Sequence, residues 1–245
     1  MPLVAITRDQ LTQYIESFWV GYDYTMAELE QARRVPNVNL LGDKTNVANR
    51  VMEETLDDIL LNGRTDYGWD SLLKSTAVTA VDAAANAAGD SKEWVKKTGL
   101  EMAKDMNDAI DGIYTATTTV LRGDTLLLPP SAYQLASRTP MSESIPNITV
   151  LRWVRENNSY TAETGQPLMI AECRGLENAG ASDAGRLIAY RKDMDVLRYH
   201  IPYTFRFSAP YMSGPYRYVV PGMMRCGGLE IRQPAGVRYI DGITS

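Results

Sequence analysis

The stretch Thr98-Gly-Leu-Glu-Met-Ala-Lys-Asp-Met-Asn-Asp-Ala-Ile-Asp-Gly-Ile-Tyr114, continued by Gly123-Asp-Thr-Leu-Leu-Leu-Pro-Pro-Ser131, decides how the chain is read. Thr98 and Glu101 stand at capping-box spacing, where each side chain satisfies an orphan backbone donor beside the other. Met102, Met106, Ala109, Ile110, Ile113 and Tyr114 recur at helical spacing, which predicts an amphipathic helix with one buried stripe. Gly123-Asp124 turns the chain. Thr125 to Leu128 is a short apolar run without alternation, the pattern of a strand covered on both faces. Pro129-Pro130 ends it, and Ser131 is placed to cap a short helix reaching Ser137.

Towards the C-terminus, a helix is expected from about Thr149 to Asn157, followed by the apolar run Leu168-Met-Ile-Ala171. The segment Gly175 to Gly185 is small and polar and reads as a flexible exposed loop. Leu187-Ile-Ala-Tyr190 and Val196-Leu-Arg-Tyr-His-Ile201 are strand-like. The last fifty residues look like strands and turns only, punctuated at Pro210, Gly214-Pro215, Pro221-Gly222, Gly227-Gly228 and Pro234. Alternating helix and strand in the middle with strands at the end indicate an α+β chain.

Towards the N-terminus, a loop is expected over Ala83 to Asp90. The helix before it is the clearest in the first half: Asp43 is its expected cap, and Asn62-Gly63 its stop. Val47, Val51, Met52, Leu56, Ile59 and Leu60 make its apolar face. Its other face is acidic, with Glu53/Asp57 and Glu54/Asp58 as like-charge pairs four residues apart, each costing an isolated helix roughly 0.2–0.5 kcal/mol. A solvated face, a contact with a neighbour's arginines, a metal site and an acid/base pair are the open readings. A short helix, Thr25 to Arg34, is stopped by Val35-Pro36. It follows the aromatic cluster Phe18-Trp-Val-Gly-Tyr-Asp-Tyr24.

Composition narrows the function. The 245 residues are 44% hydrophobic and 22% charged, which is ordinary globular composition. No run approaches the ~18 apolar residues of a membrane helix, and no secretory signal is visible. Cys173 and Cys226 are far apart, so a reduced intracellular origin is expected rather than a disulfide. A single histidine, His200, excludes a His-rich metal centre and leaves any Ser-His or Cys-His system only that residue. Residues 1–120 carry 11 Lys+Arg against 19 Asp+Glu, and residues 121–245 carry 14 against 11. Thirteen of those 14 bases are Arg, the side chain suited to bidentate contacts with carboxylates across an interface. Head-to-tail packing of identical subunits and two solvated surfaces of unequal charge both fit this split.

Short motifs carry little chemistry. Gly175-Leu-Glu-Asn-Ala-Gly-Ala-Ser182 has phosphate-loop glycine spacing, but Ala181 replaces the lysine and Glu177 would face the phosphates. No dinucleotide fingerprint is present. Nothing links His200 to Ser131, and a structural histidine is expected. The sequons at Asn147 and Asn157 are chance matches without a signal peptide. Arg198, Arg206, Arg217, Arg225, Arg232 and Arg238 interleave with aromatics as in a nucleic-acid surface. The chain's pI near 5.1 argues instead for a sheet whose outer face meets protein.

The order of segments resembles a known family. Tyr22-Asp-Tyr-Thr-Met-Ala-Glu-Leu-Glu30, Leu61-Asn-Gly-Arg-Thr-Asp-Tyr-Gly-Trp-Asp-Ser-Leu-Leu73 and Thr125-Leu-Leu-Leu-Pro-Pro-Ser-Ala-Tyr133 resemble tailed-phage major capsid proteins. So do Thr149-Val-Leu-Arg-Trp-Val-Arg-Glu-Asn-Asn158, Arg186-Leu-Ile-Ala-Tyr190 with Val196-Leu-Arg-Tyr-His-Ile-Pro202, and Gly227-Gly-Leu-Glu-Ile-Arg-Gln-Pro-Ala-Gly-Val-Arg-Tyr-Ile-Asp-Gly242. Together they look like the Hong Kong 97-type capsid fold found in many prophages.

The resemblance implies residues 1–24 as the returning strand of an extended loop and 25–76 as peripheral domain with a spine helix at 43–62. Residues 77–200 would be the axial domain, with Leu126–Leu128, Leu168–Ala171, Leu187–Tyr190 and Val196–His200 in its central sheet. Residues 201–245 would return to the peripheral sheet. The 175–185 loop would point to the symmetry axis of a hexamer or pentamer. The family's N-terminal arm and outgoing loop strand are not seen before Met1, which suggests a truncated form or a degenerate prophage copy.

The implied role is an icosahedral shell enclosing double-stranded DNA in the virion, assembled in the host cytoplasm without catalysis or cofactor. Its partner is itself, in hexamers and pentamers. Scaffold, maturation protease, portal and decoration proteins are candidate partners, DNA is met only by non-specific proximity, and no membrane is involved. Candidate interface residues are Glu53, Glu54, Asp57, Asp58, Glu177, Asn178, Asp183, Arg217, Arg225 and Arg232. An encapsulin-like nanocompartment and a small α/β enzyme using His200 are the alternatives. Burial of the four spine carboxylates in the subunit's own core would refute the interface reading.

Overall fold

The computed structural model describes residues 12–35 and 39–244. Strand β1 (Glu16–Thr25) leads into helices α1 (Met26–Arg34) and α2 (Leu40–Asn62). Then come β2 (Ala80–Asp82), α3 (Gly99–Ala116), β3 (Thr125–Leu128), α4 (Pro130–Arg138), β4 (Pro140–Ser142) and β5 (Ile145–Thr149). Helices α5 (Val150–Glu156) and α6 (Ser159–Thr164) precede β6 (Met169–Glu172) and β7 (Arg186–Tyr190). The chain closes with β8 (Leu197–His200), β9 (Tyr203–Phe207), β10 (Tyr211–Gly214), β11 (Arg217–Cys226), β12 (Gly228–Ile231) and β13 (Val237–Asp241).

The chain divides into two units, the first comprising residues up to Trp69 with Tyr199–Leu229, the second Asp70–Arg198 with the residues from Glu230 on. In the first unit, β11 is the middle strand. It pairs antiparallel with β1 on one side and with β9 and β10 on the other. Pro221 lies in that middle strand, where a missing N–H would normally break the ladder. Its carbonyl accepts from Ser208 N–H (2.8 Å), so its nitrogen faces the side where β9 gives way to β10.

Helix α2 covers one face of this sheet. Met52 and Ile59 are buried with Trp69, Met224 and Cys226, and Phe18, Val20, Leu56 and Phe205 pack around them. Two expectations for α2 differ from the structure. The cap is Asn39, whose side chain accepts from Gly42 N–H, and Asp43 sits in the first turn. The buried stripe is Ala48, Met52 and Ile59, while Val47 (62% exposed) and Val51 (44%) turn outward. Helix α1 starts at Thr25 with a capping box to Glu28 and stops at Val35.

The second unit is built on a five-stranded sheet in the order β2-β13-β7-β3-β6. Helix α3 covers it with the anticipated stripe, Met102, Met106, Ala109, Ile110 and Ile113 all buried, and with its capping box formed between Thr98 and Glu101. Leu126 and Leu128 are fully buried, as a strand covered on both faces requires.

Three readings are corrected here. Strand β8 pairs with β12 in a separate two-stranded sheet, so Val196–His200 is not part of the central sheet. Residues from Glu230 on group with the second unit, whereas 201–245 was read as one segment. The reason is β13, whose Val237, Tyr239 and Ile240 are buried between β2 and β7. The 175–185 segment is exposed only in part. Leu176 and Ala179 are buried, and Gly180 N–H donates to Ala184 O (2.8 Å). Of the stretch read as residues 1–24, the first eleven lie outside the described residues.

Two charged networks are buried in the second unit. Arg186 grips Asp241 through its Nε–Nη2 edge (Nε–Oδ1 2.6 Å, Nη2–Oδ2 2.8 Å) and donates through Nη1 to Leu73 O (2.7 Å). Its guanidinium lies over the Tyr239 ring, whose hydroxyl donates to Leu72 O (2.8 Å). Burial raises the Tyr239 hydroxyl to about 12. Lys97 and Asp105 pair with side chains only 1% and 2% exposed, and Trp94 Nε1 also donates to Asp105 (2.9 Å). Burial raises the Asp105 carboxyl above the usual carboxylate range, outweighing Lys97.

Candidate assembly surfaces

The acidic face of α2 is outward along its whole length: Glu53, Glu54, Asp57 and Asp58 are all exposed. Glu54 accepts from Arg50 Nε (3.0 Å), one turn away. Asp58 accepts from Asn62 Nδ2 (2.8 Å) and faces Arg64 (3.7 Å). These are solvent-screened local contacts of the kind that leave most of a carboxylate's charge available. Val47, Val51, Glu54 and Asp58 follow one another at four- and three-residue steps, so they form one stripe on the helix flank.

Register sorts the residues of the first unit's sheet by face. Tyr22, Val220, Met224 and Cys226 lie on the α2 side with Phe18 and Val20. Trp19 pairs with Met223, Gly21 with Pro221, Asp23 with Val219, and Tyr211 with Val219 across the other edge. That second face is uncovered: Trp19 is 67% exposed and Tyr211 53%. Arg206 pairs with Met223, and Arg225 follows two residues on. Among the described residues neither arginine forms a salt bridge.

Arg217 closes one end of this face through Asp23, its Nε donating to Oδ2 (2.8 Å). That hydrogen bond, with the guanidinium charge, holds the Asp23 carboxyl below the usual range. Trp19 was read only as part of an aromatic cluster and Val47 and Val51 as core, so none of the three was among the interface candidates. The signal for Trp19 was the period-2 alternation through Phe18, Trp19 and Val20, readable only once the buried face was known.

The other candidates lie in the second unit. Glu177 caps α4 from a distance, accepting Ser131 N–H (2.8 Å) and Oγ–H (2.7 Å). Ser131 is therefore not the cap: Pro129 holds that position, and Glu177 supplies the negative charge favoured at a helix N-terminus. Asn178 and Asp183 are exposed on the same segment, where Ser182 (φ 57°) and Asp183 (φ 60°) adopt left-handed backbone. Arg232 is exposed beside Glu230 (3.4 Å). The ten candidates thus do not form one cluster.

Chemistry is sparse. Among the described residues no group of three or more His, Cys, Asp or Glu could hold a metal ion, and no helix is long and apolar enough to cross a membrane. Both cysteines are free thiols. Cys226 is buried, its Sγ–H directed at Tyr199 Oη (3.4 Å), which itself donates to Leu56 O (3.1 Å). Burial pushes the Tyr199 hydroxyl up.

Outer faces that carry exposed carboxylates, arginines and Trp19, without a clustered metal or catalytic site among the described residues, are the surface of a subunit that meets other protein rather than of an enzyme cleft. The sequence matches the family model of the major capsid protein over residues 1–243, and the chain belongs to that family. It is a shell-forming structural protein of the virion capsid. The fold is the Hong Kong 97-type. The capsid of Myoviridae phage XM1 superposes with a TM-score of 0.73 at 18% identity, covering 94% of this chain and 74% of that one. The capsid of an empty GTA particle gives 0.58 at 10% identity, covering 96% and 75%. A virus-like particle from Pyrococcus furiosus gives 0.53 at 9% identity, covering 96% and 79%. No curated protein sequence matches significantly.

Proposed function

We propose that this chain is the repeating subunit of an icosahedral shell around phage double-stranded DNA, joined into hexamers and pentamers by charge-matched surfaces, and that it performs no catalysis. The family match along the chain carries the proposal, and the outward α2 carboxylates support it. On this reading the first unit is the peripheral domain with α2 as its spine helix, and the second unit is the axial domain. The segment bearing Glu177, Asn178 and Asp183 approaches the capsomer axis, and Arg217, Arg225 and Arg232 lie at subunit contacts. Shells of this kind close under symmetry through many copies of one modest contact. Net charge −5 keeps the chain from adhering to the DNA it encloses. Scaffold, maturation protease, portal and decoration proteins are the candidate further partners.

Light scattering with negative-stain microscopy across ionic strength tests this. Shells, rings or capsomer-sized particles that dissociate as salt rises are expected, because screening weakens exposed charge pairs. A chain that stays monomeric at every concentration and ionic strength overturns it. His200→Gln should leave assembly intact.

A further inference from the structure

We propose that the uncovered sheet face around Trp19 receives the Val47–Asp58 flank of α2 from a second copy of this chain. The inference rests on the self-association argued above and names its contact. Three observations point to it.

The first is the shape of the sheet face. Trp19 stands as one wall of a depression whose floor is Gly21, Val219 and Pro221, with the Arg217–Asp23 pair at the far end. Gly21 keeps the floor low: a Cβ there would lie 2.7 Å from the Val220 carbonyl oxygen. A large exposed tryptophan beside an empty floor is the form of an interface anchor, since aromatic side chains bury much area at little entropic cost.

The second is the unused apolar surface of α2. Val47 and Val51 face solvent although Met52 and Ile59 on the same helix are fully buried. Within one chain they cannot reach the depression, because α2 packs on the opposite face of the sheet. The two surfaces can therefore meet only between copies, as a heterologous contact of the kind that closes rings.

The third is charge and span. Along the sheet face, Val219 to Arg225 spans about 20 Å at the strand rise. Along the helix, Val47 to Asp58 spans about 17 Å at the helical rise. Valines seated against Trp19, Val219 and Pro221 bring Glu54 and Asp58 toward Arg206 and Arg225, which have no ion-pair partner among the described residues. The Arg217–Asp23 pair beyond Val219 is neutralised within the chain. The net charge of the sheet stripe is therefore positive and lies at its Arg206–Arg225 end, while that of the helix stripe is negative and lies at its Glu54–Asp58 end.

The test is cysteine pairing in the assembled full-length chain. A Val51→Cys/Val219→Cys variant, oxidised after assembly, should give a ladder of covalent oligomers on a non-reducing gel. Val51→Cys chains mixed with Val219→Cys chains should stop at dimers. Each single variant alone, like the parent with only Cys173 and Cys226, should give none. In a second series, Trp19→Ala should raise the assembly threshold concentration at least tenfold while leaving the circular dichroism spectrum unchanged. Arg225→Glu should do the same, and adding Glu54→Arg should recover most of the loss. Particles that form normally from the double-cysteine variant without a ladder would overturn this contact and leave the shell function standing. So would a Trp19→Ala chain that assembles like the parent, as it would if a different protein were the occupant. A chain that never assembles overturns both.

Discussion

Two Asp–Arg pairs of the same chemistry sit in opposite settings. Arg186–Asp241 in the second unit is enclosed, bidentate and joined to Leu73 O and Tyr239. Arg217–Asp23 in the first unit lies on an open sheet face with both side chains about half exposed. The enclosed pair has no water to fall back on, so it must be complete, and it fixes how β7, β13 and the segment at Leu73 meet. The open pair is solvated whether or not it forms, and its residues remain available to another molecule. The second unit encloses this pair within its own framework, while the first leaves its pair on an open face.

The largest effect expected from breaking this contrast is on the enclosed side. Asp241→Ala strands a buried guanidinium and the Ala181 N–H, and should cost roughly 3–5 kcal/mol in denaturant unfolding, enough to unfold a marginal domain. Met52→Ala opens a cavity under the first unit's sheet and should cost about 2–5 kcal/mol, measured the same way.

Lys97→Met separates desolvation from pairing. Without the ammonium, the Asp105 carboxyl, already raised by burial, rises further. The folded chain then keeps a proton that the unfolded chain releases. Stability of the variant should therefore increase as pH falls from neutral toward the ordinary carboxylate range, and more steeply than in the parent. A flat profile would mean that water reaches Asp105.

Glu177→Gln should cost about 1 kcal/mol: it removes a charge at the α4 N-terminus and one of two acceptor oxygens, keeping the other for Ser131 N–H while the amide nitrogen can donate to Ser131 Oγ. Smallest of all, Asp23→Asn should leave the unfolding midpoint where it is. Because Arg217 holds that carboxyl low, whatever the pair contributes is present above the ordinary carboxylate range and lost as pH falls through the depressed value. A large loss of stability in this variant would place Asp23 inside the fold's own framework.

What the sequence disclosed follows the range of the interactions concerned. Helix α3 was legible because its capping box and stripe are local, and β3 because three consecutive leucines have no other comfortable place. The α2 stripe was misread where it mattered: periodicity counts Val47 and Val51 as core, but cannot distinguish a face covered by the same chain from one left open. Strand β8 reads like its neighbours, and only its partner β12, some thirty residues away, takes it out of the central sheet. Capping of α4 by Glu177, 46 positions beyond Ser131, leaves no mark in the sequence near the helix. The acidic candidates of α2 were readable as exposed charge, and Trp19 was hidden among four other apolar or aromatic residues of its cluster.

The order of strands has a temporal meaning. Strand β13 lies between β2 and β7, and β11 between β1 and the pair β9 and β10. Strands β1, β2 and β7 thus wait for an internal neighbour from residues beyond 216, synthesised well after them. Until then the edges that β11 and β13 will cover stay unpaired, and neither unit offers a finished surface to a neighbour. Nascent chains crowded on one message are so kept from joining early, and competence to build the shell arrives together with the closure of both sheets.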